Sequence, residues 1–338
     1  MTFWRNSLLL TTIFAQASLA FAQPKTAYTS KSSVDSSLFS DQTDFTEPRP
    51  SYTLAQILPA YKVALKKGMF EVMGGLGHTD GSEEINRGQP NYIKKSPQGD
   101  FVPVQLAYGL SDNTSLYFSG KAIRQTERAT NTNLEGTSEP QFSISHSIRN
   151  ENSTLNLIGT YTADVGAATL TSRAASRKEG NTLQGGASGE GLAGYFVRLS
   201  PIIIGGEVSY LYKDSRIKNE ETIALFTGQT TGQTQTRLEG GNEKTLRAIV
   251  ELAMPIRLGA TAGRTWVEPE ELITMYQPTT ILYNSYYRNF FSGYARFQVN
   301  PKLAILPSVS YTEAPDTTGI TGKQNQEIAT QVGIRYRF

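Results

Sequence analysis

The sequence predicts an all-β fold: a transmembrane antiparallel β-barrel of twelve strands, with short periplasmic turns and long extracellular loops. Three observations carry this prediction. From about residue 68 the chain is a succession of segments in which apolar and polar residues alternate with period two, the pattern of a strand whose two faces meet different surroundings. Most segments run about ten to twelve residues, close to the ~9–11 that cross a bilayer at a tilt and about twice the usual soluble strand. The connectors alternate short and long, as they do in outer-membrane barrels. The last segment places Phe338, Tyr336, Ile334, Val332, Thr330 and Ile328 on one face and mostly polar residues on the other. A terminal aromatic is poorly solvated by water but suits a membrane interface.

The elements follow in order. Residues 8–14 and their small-residue continuation form the one long apolar run, preceded by Arg5 and followed by Ala20-Phe21-Ala22. This is the pattern of a secretory signal peptide, residues 1–22, cut before Gln23. No other run approaches the ~20 apolar residues of a helical span. Residues 23–66 read as a periplasmic N-terminal arm. Its first part, 23–50, is rich in Ser, Thr, Asp and Pro and lacks a period, as in flexible segments. Leu54, Ile57, Leu58, Tyr61 and Leu65 are then spaced as on a helix that Pro59 interrupts, so 52–66 is a short helix or a plug at the barrel mouth. The barrel occupies 67–338.

Its twelve predicted strands are 69–78, 101–110, 114–124, 140–149, 154–164, 190–199, 202–213, 242–253, 256–267, 285–298, 302–312 and 327–338. Turn formers fill the short connectors at 111–113, 150–152, 200–201, 254–255 and 300–301. The long connectors are 79–99, 125–139, 165–189, 214–241, 268–284 and 313–326. An even strand count puts both ends of the barrel on the periplasmic side, together with every short turn. Closure pairs the first strand with the last, because lipid cannot solvate free backbone N–H and C=O groups.

Charge assigns the faces, since Arg or Lys at the lipid midplane costs about 2–4 kcal/mol. The outward sets are Leu155/Leu157/Tyr161, Ile204/Val208/Tyr210/Tyr212, Leu246/Ala248/Val250/Leu252 and Leu303/Ile305/Val309/Tyr311. The expected lumen-lining residues are Glu71, Lys121, Glu190, Arg198, Glu207, Arg247, Glu251, Arg257, Arg288, Arg296, Glu327 and Arg335, with Gln105, Asp164 and Arg337 on the same phase. Arg124 and Arg264 fall on the outward phase near the external ends, where long side chains reach headgroups or lipopolysaccharide phosphates. Twelve strands at ~4.8 Å spacing and ~40° tilt give a backbone diameter of roughly 24 Å. Side chains reduce the passage to roughly 10 Å or less, a width for small solutes rather than folded proteins.

Other chemistries find little support. The chain has no cysteine and a net charge of +2, so disulfides and lipid anchoring through cysteine are excluded. A basic face for nucleic acid is missing. Residues 189–194 match G-x-G-x-x-G, but the pattern continues as strand into Ser200-Pro201, whereas a dinucleotide site needs a helix there. The two histidines, His78 and His146, lack a serine partner on the same face, and there is no G-x-S-x-G. No metal-ligand spacing occurs. The expectation is no enzyme, no cofactor and no metal. Two external loops carry apolar patches, 223–226 and 272–276, which either constrict the mouth or contact neighbouring loops and lipopolysaccharide.

The terminal Arg335-Tyr336-Arg337-Phe338 resembles the C-terminal aromatic signal, here Tyr336 and Phe338, that Gram-negative outer-membrane channels present to the barrel-insertion machinery. Tyr108-Gly109-Leu110-Ser111-Asp112-Asn113 with Leu116 is similar to a periplasmic turn of porin-like families, among them the phenol-degradation (MetA-pathway) outer-membrane channel family. Glu139-Pro140 with Ser143 and Ile144 is similar to a recurring strand start in that group. The resemblance covers residues 69–338 at the level of pattern. It implies a bacterial outer-membrane, porin-like channel for passive passage of small polar or amphipathic solutes through a narrow Arg/Glu-lined lumen, with lipid, lipopolysaccharide and the insertion machinery as partners. The alternative is a closed barrel that presents its extracellular loops for binding or adhesion.

Overall fold

The computed structural model describes residues 64–338 apart from 86–92, 128–131, 151, 166, 173–175, 181–186, 200, 225–229, 253–255, 275–279, 284 and 315–323. The expected signal peptide and almost all of the expected N-terminal arm lie outside the described residues. Twelve strands build the barrel: β1 (Phe70–Ile85), β2 (Pro97–Ser111), β3 (Thr114–Glu127), β4 (Gln141–Arg149), β5 (Ser153–Thr162), β6 (Ser188–Leu199), β7 (Ile202–Lys213), β8 (Glu243–Leu252), β9 (Ile256–Val267), β10 (Tyr286–Asn300), β11 (Leu303–Ala314) and β12 (Gln324–Arg337). Each pairs antiparallel with the next. β1 then pairs with β12 from Glu71↔Arg337 to Glu84↔Gln324, which closes the sheet. The Phe338 amide donates to the Phe70 carbonyl at 2.9 Å, so the terminal residue is part of the ladder.

The alternation of the sequence becomes the two faces of the wall. Along β12, Ala329, Gln331 and Arg335 are buried, whereas Ile328, Val332 and Ile334 are exposed. The exposed set continues around the barrel through Val104, Ile144, Ile204, Val250 and Val309. So much contiguous exposed apolar surface is untenable in water and is what a lipid-facing barrel presents. At the periplasmic end Phe70, Tyr336 and Phe338 pack together, with ring centroids 5.8 Å apart for Phe70–Phe338 and 4.8 Å for Tyr336–Phe338.

Inward aromatics lie against the wall rather than across the interior. Phe196 faces Gly205 and Phe101 faces Gly77 across adjacent strands. An added Cβ at either glycine would lie 2.0 Å from the opposing ring. Tyr294 on Gly259 and Phe290 on Gly263 repeat the arrangement. The glycine removes the side chain that would hold the ring off the sheet, and the ring covers the glycine. This explains Gly205, Gly77, Gly259 and Gly263 without a ligand. The G-x-G-x-x-G stretch lies wholly within β6.

The strands outrun the predicted ones at the external side. β1 extends to Ile85, and Ile93–Lys95 pairs with its end. Seven further strands occupy the long connectors. Thr132–Thr137 pairs with the outer part of β3 and with Ala167–Ser172. Ser176–Gly180, Arg216–Ala224, Thr230–Gly240, Glu270–Thr274 and Thr280–Tyr283 form a separate five-stranded sheet. The two apolar loop patches therefore begin within paired strands of that sheet, and their remaining residues, 225–226 and 275–276, are outside the described set. β5 ends at Thr162, which leaves Asp164 beyond the strand and exposed. The expectation that Asp164 faces the interior is thus corrected: the bend at this point releases it from the alternation.

Candidate functional site: the barrel interior

Most of the polar residues that the alternation points inward are buried in the closed sheet. Burying a charge is tolerable only with a partner, and the partners come from neighbouring strands. Arg247 of β8 and Glu207 of β7 are register partners. They meet at 2.6 Å, with side chains 1% and 8% exposed, and the Arg247 guanidinium lies over the Phe290 ring at 5.4 Å. Four residues toward the periplasm on β8, Glu251 accepts from Arg257 Nη1 at 3.3 Å and from the Tyr294 hydroxyl at 2.6 Å. Four residues in the other direction, Glu243 accepts from Lys213 Nζ at 2.7 Å and from Arg288. The strand thus carries Glu243, Arg247 and Glu251 on its inner face at alternating sign.

A second ionic cluster sits at the closing seam. Glu71 is 1% exposed and accepts from Arg337 Nε at 2.8 Å. Arg335, also 1% exposed, lies 3.7 Å from the same carboxylate and donates to Gln298 at 3.4 Å. Lys121 of β3 and Glu327 of β12 interact electrostatically, and Lys121 lies 5.6 Å from the Phe101 ring centroid. Glu190 is buried, while Arg198 and Arg296 are half-buried. The structure thus brings Glu207 to Arg247, Glu251 to Arg257, and Glu71 to Arg335. It keeps these groups in separate clusters around the wall.

The other arc of the interior is rich in hydroxyls, with Lys121 and Arg149 as its charged residues toward the two ends. On β3 to β5 the buried inward residues include Ser119, Ser143, Ser147, Asn156 and Thr160. Ser143 and Thr160 hydroxyls lie 3.0 Å apart, and Ser147 donates to the Asn156 amide oxygen at 2.8 Å. Tyr117 is buried there, close to Ser115 and Ser145. This arc was not singled out from the sequence, although the inward phase of Ser143, Ser145 and Ser147 was legible. Lys213, Glu243 and Tyr294 were also missed, because only the register pairs them with predicted residues.

The last residues before β1 enter this interior. Ala64 and Leu65 are 2% and 3% exposed. Leu65 packs with Ala107, Tyr117 and Met69, and its amide donates to the Ser115 hydroxyl. Arg149 Nη2 donates to the Ala64 carbonyl at 3.2 Å. A Cβ at Gly109 would meet the Lys66 carbonyl at 2.0 Å, so this glycine makes room for the entering chain.

Outside the barrel, His78 Nδ1 lies 2.8 Å from Asp100 Oδ1 at an exposed position. His146 Nδ1 is 3.0 Å from the Thr114 hydroxyl. Arg264 stacks on Tyr287 at 4.4 Å and donates to Asn289. Just past β9, hydrogen bonds from Lys244 and then Asn242 hold the Glu268 carboxyl below the usual range. No group of His, Asp and Glu with metal-binding geometry occurs among the described residues.

No protein-family model matches the chain, and no curated protein sequence matches it. Solved structures do. The COG4313 outer membrane channel from Pseudomonas putida F1 is similar over 81% of this chain and 97% of its own, with a TM-score of 0.56 at 12% identity. The translocator domain of the autotransporter NalP from Neisseria meningitidis is similar over 81% of this chain and 90% of its own, with a TM-score of 0.48 at 15% identity. The Pseudomonas putida toluene transporter TodX is similar over 81% and 90%, with a TM-score of 0.44 at 8% identity. Together with the closed sheet and its apolar exterior, the first of these makes the chain an outer-membrane β-barrel in fold.

Proposed function

We propose that the protein is an outer-membrane channel for small polar or amphipathic solutes that pass through the barrel interior. One observation carries this reading: the buried face of the closed sheet holds many charged and hydroxyl side chains among its apolar ones, with ionic clusters concentrated on one arc and hydroxyls on the other. A barrel serving only as an anchor has no need of buried ionic clusters, since burying an ion pair often stabilises less than apolar packing of the same volume. The similarity to a solved outer-membrane channel over most of both chains supports it. Arg247, Arg257, Glu207 and Glu251 form the buried ionic wall, and the half-buried Arg198 and Arg296 are the wall residues that a solute would meet.

Ala64 and Leu65, buried at the mouth, support a second part of the reading: residues 52–66 act as a plug. Purified, folded protein in planar bilayers is expected to give discrete conductance steps, and deletion of residues 23–66 is expected to enlarge them. A folded barrel without steps at any voltage would remove the channel reading. Conductance unaffected by the deletion would remove the plug alone. The rival reading, a scaffold that presents loops, draws on the five-stranded sheet built from the long connectors. It requires that loop removal abolish ligand binding, whereas a channel keeps its conductance.

A further inference from the structure

Inward charge is unevenly distributed along the barrel. In the outer and middle parts it balances: Lys121, Lys213, Arg247 and Arg288 face Glu190, Glu207, Glu243 and Glu327. Close to the periplasmic turns it does not. Arg149 ends β4, Arg198 is the last residue but one of β6, Arg257 is the second of β9, Arg296 lies near the end of β10, and Arg335 and Arg337 lie at the end of β12. Among the described residues, only Glu71 and Glu251 are acidic at that level on the inner face. Among the described residues at the mouth, Lys66, Lys67 and Lys302 add positive charge and Asp112 subtracts one.

Register sharpens the imbalance. Arg257 and Arg296 are direct cross-strand partners on the inner face, an arrangement that is ordinarily destabilising. Glu251 serves Arg257 and Tyr294 together. At the seam, Glu71 serves Arg335 and Arg337 together. Each carboxylate here is shared, so the excess of guanidinium charge persists whatever the pairing. In a confined, low-dielectric passage such an excess concentrates anions, and planar guanidinium forks match carboxylates geometrically.

We propose that the periplasmic end of the interior is an anion filter, selecting small solutes that carry a carboxylate. This deepens the channel reading and rests on it. A solute entering from outside passes a charge-balanced section first and meets the filter last.

The test is the reversal potential of folded protein in planar bilayers under a potassium chloride gradient, repeated with potassium acetate. The expected result is anion preference in both salts. The Arg257→Gln/Arg296→Gln double variant should lower the anion-to-cation permeability ratio several-fold, and Arg257→Lys/Arg296→Lys should keep it. Lys244→Gln, on the outer surface, should leave it unchanged. If the glutamine double variant does not fold, Arg198→Gln with Arg337→Gln at half-buried positions measures the same loss. Conductance with no preference, with cation preference, or with a ratio indifferent to these arginines would overturn the filter and leave the channel standing. A folded barrel without conductance would remove both.

Discussion

Two arcs of one wall share a backbone geometry and differ in chemistry. From β3 to β5 the inner face is rich in serine, threonine and asparagine, and pairs such as Ser143–Thr160 and Ser147–Asn156 meet across adjacent strands. From β7 to β10 it is ionic, and Glu243, Arg247 and Glu251 each depend on a particular partner. A hydroxyl is both donor and acceptor and can turn to a new partner. A buried guanidinium cannot, and losing its carboxylate leaves an uncompensated charge. The hydroxyl arc should therefore tolerate substitution and the ionic arc should not.

The sharpest way to break this comparison is Arg247→Met. Glu207 would remain buried without its cation, and the barrel should lose about 3–5 kcal/mol, read from the urea midpoint of refolding into lipid vesicles. Adding Glu207→Leu should recover most of that loss. A double variant as unstable as the single one would mean that packing, rather than charge, dominates this arc.

Gly205→Ala comes next. Its Cβ would meet the Phe196 ring at 2.0 Å, and forcing the ring off the wall should cost about 1–3 kcal/mol. In the same assay Phe196→Ala/Gly205→Ala should show coupling between the two sites. Additivity would show that the ring does not depend on the glycine.

On the hydroxyl arc, Ser143→Ala should cost about 1 kcal/mol, with Thr160 the only hydroxyl left to re-pair. A loss as large as that of Arg247→Met would erase the distinction between the arcs. The smallest effect is expected outside both. The exposed His78–Asp100 pair should be worth less than about 1 kcal/mol, so His78→Ala should barely shift the midpoint, and less so in high salt.

The twelve barrel strands were legible because each announces itself locally. Residues 202–213 and 256–267 are each preceded by a turn-forming connector, and they match β7 and β9 end to end. The strands inside the long connectors were not legible. Segments such as Ser176–Gly180 and Arg216–Ala224 are polar at most positions. Outside the bilayer neither face need be apolar, and pairing with a distant strand is what makes them strands. Asp164 shows the converse: the alternation continued in sequence past the point where the backbone left the sheet. The ionic arc was half legible, since Arg247 and Glu207 were on the correct phase while Lys213, Glu243 and Tyr294 were not singled out.

What the sequence determines by itself is which way each side chain of a strand points. That follows from a period of two and from the cost of a charge in lipid, both of which act over a few neighbouring residues. What only the tertiary structure decides is who meets whom. Arg247 and Glu207 are 40 residues apart, and Arg337 and Glu71 are 266 apart. Their contact depends on the register of each hairpin and on closure of β1 against β12. A shift of two residues along any strand would keep every face assignment intact and exchange every ionic partner, because alternation repeats at two while a salt bridge tolerates no such slip.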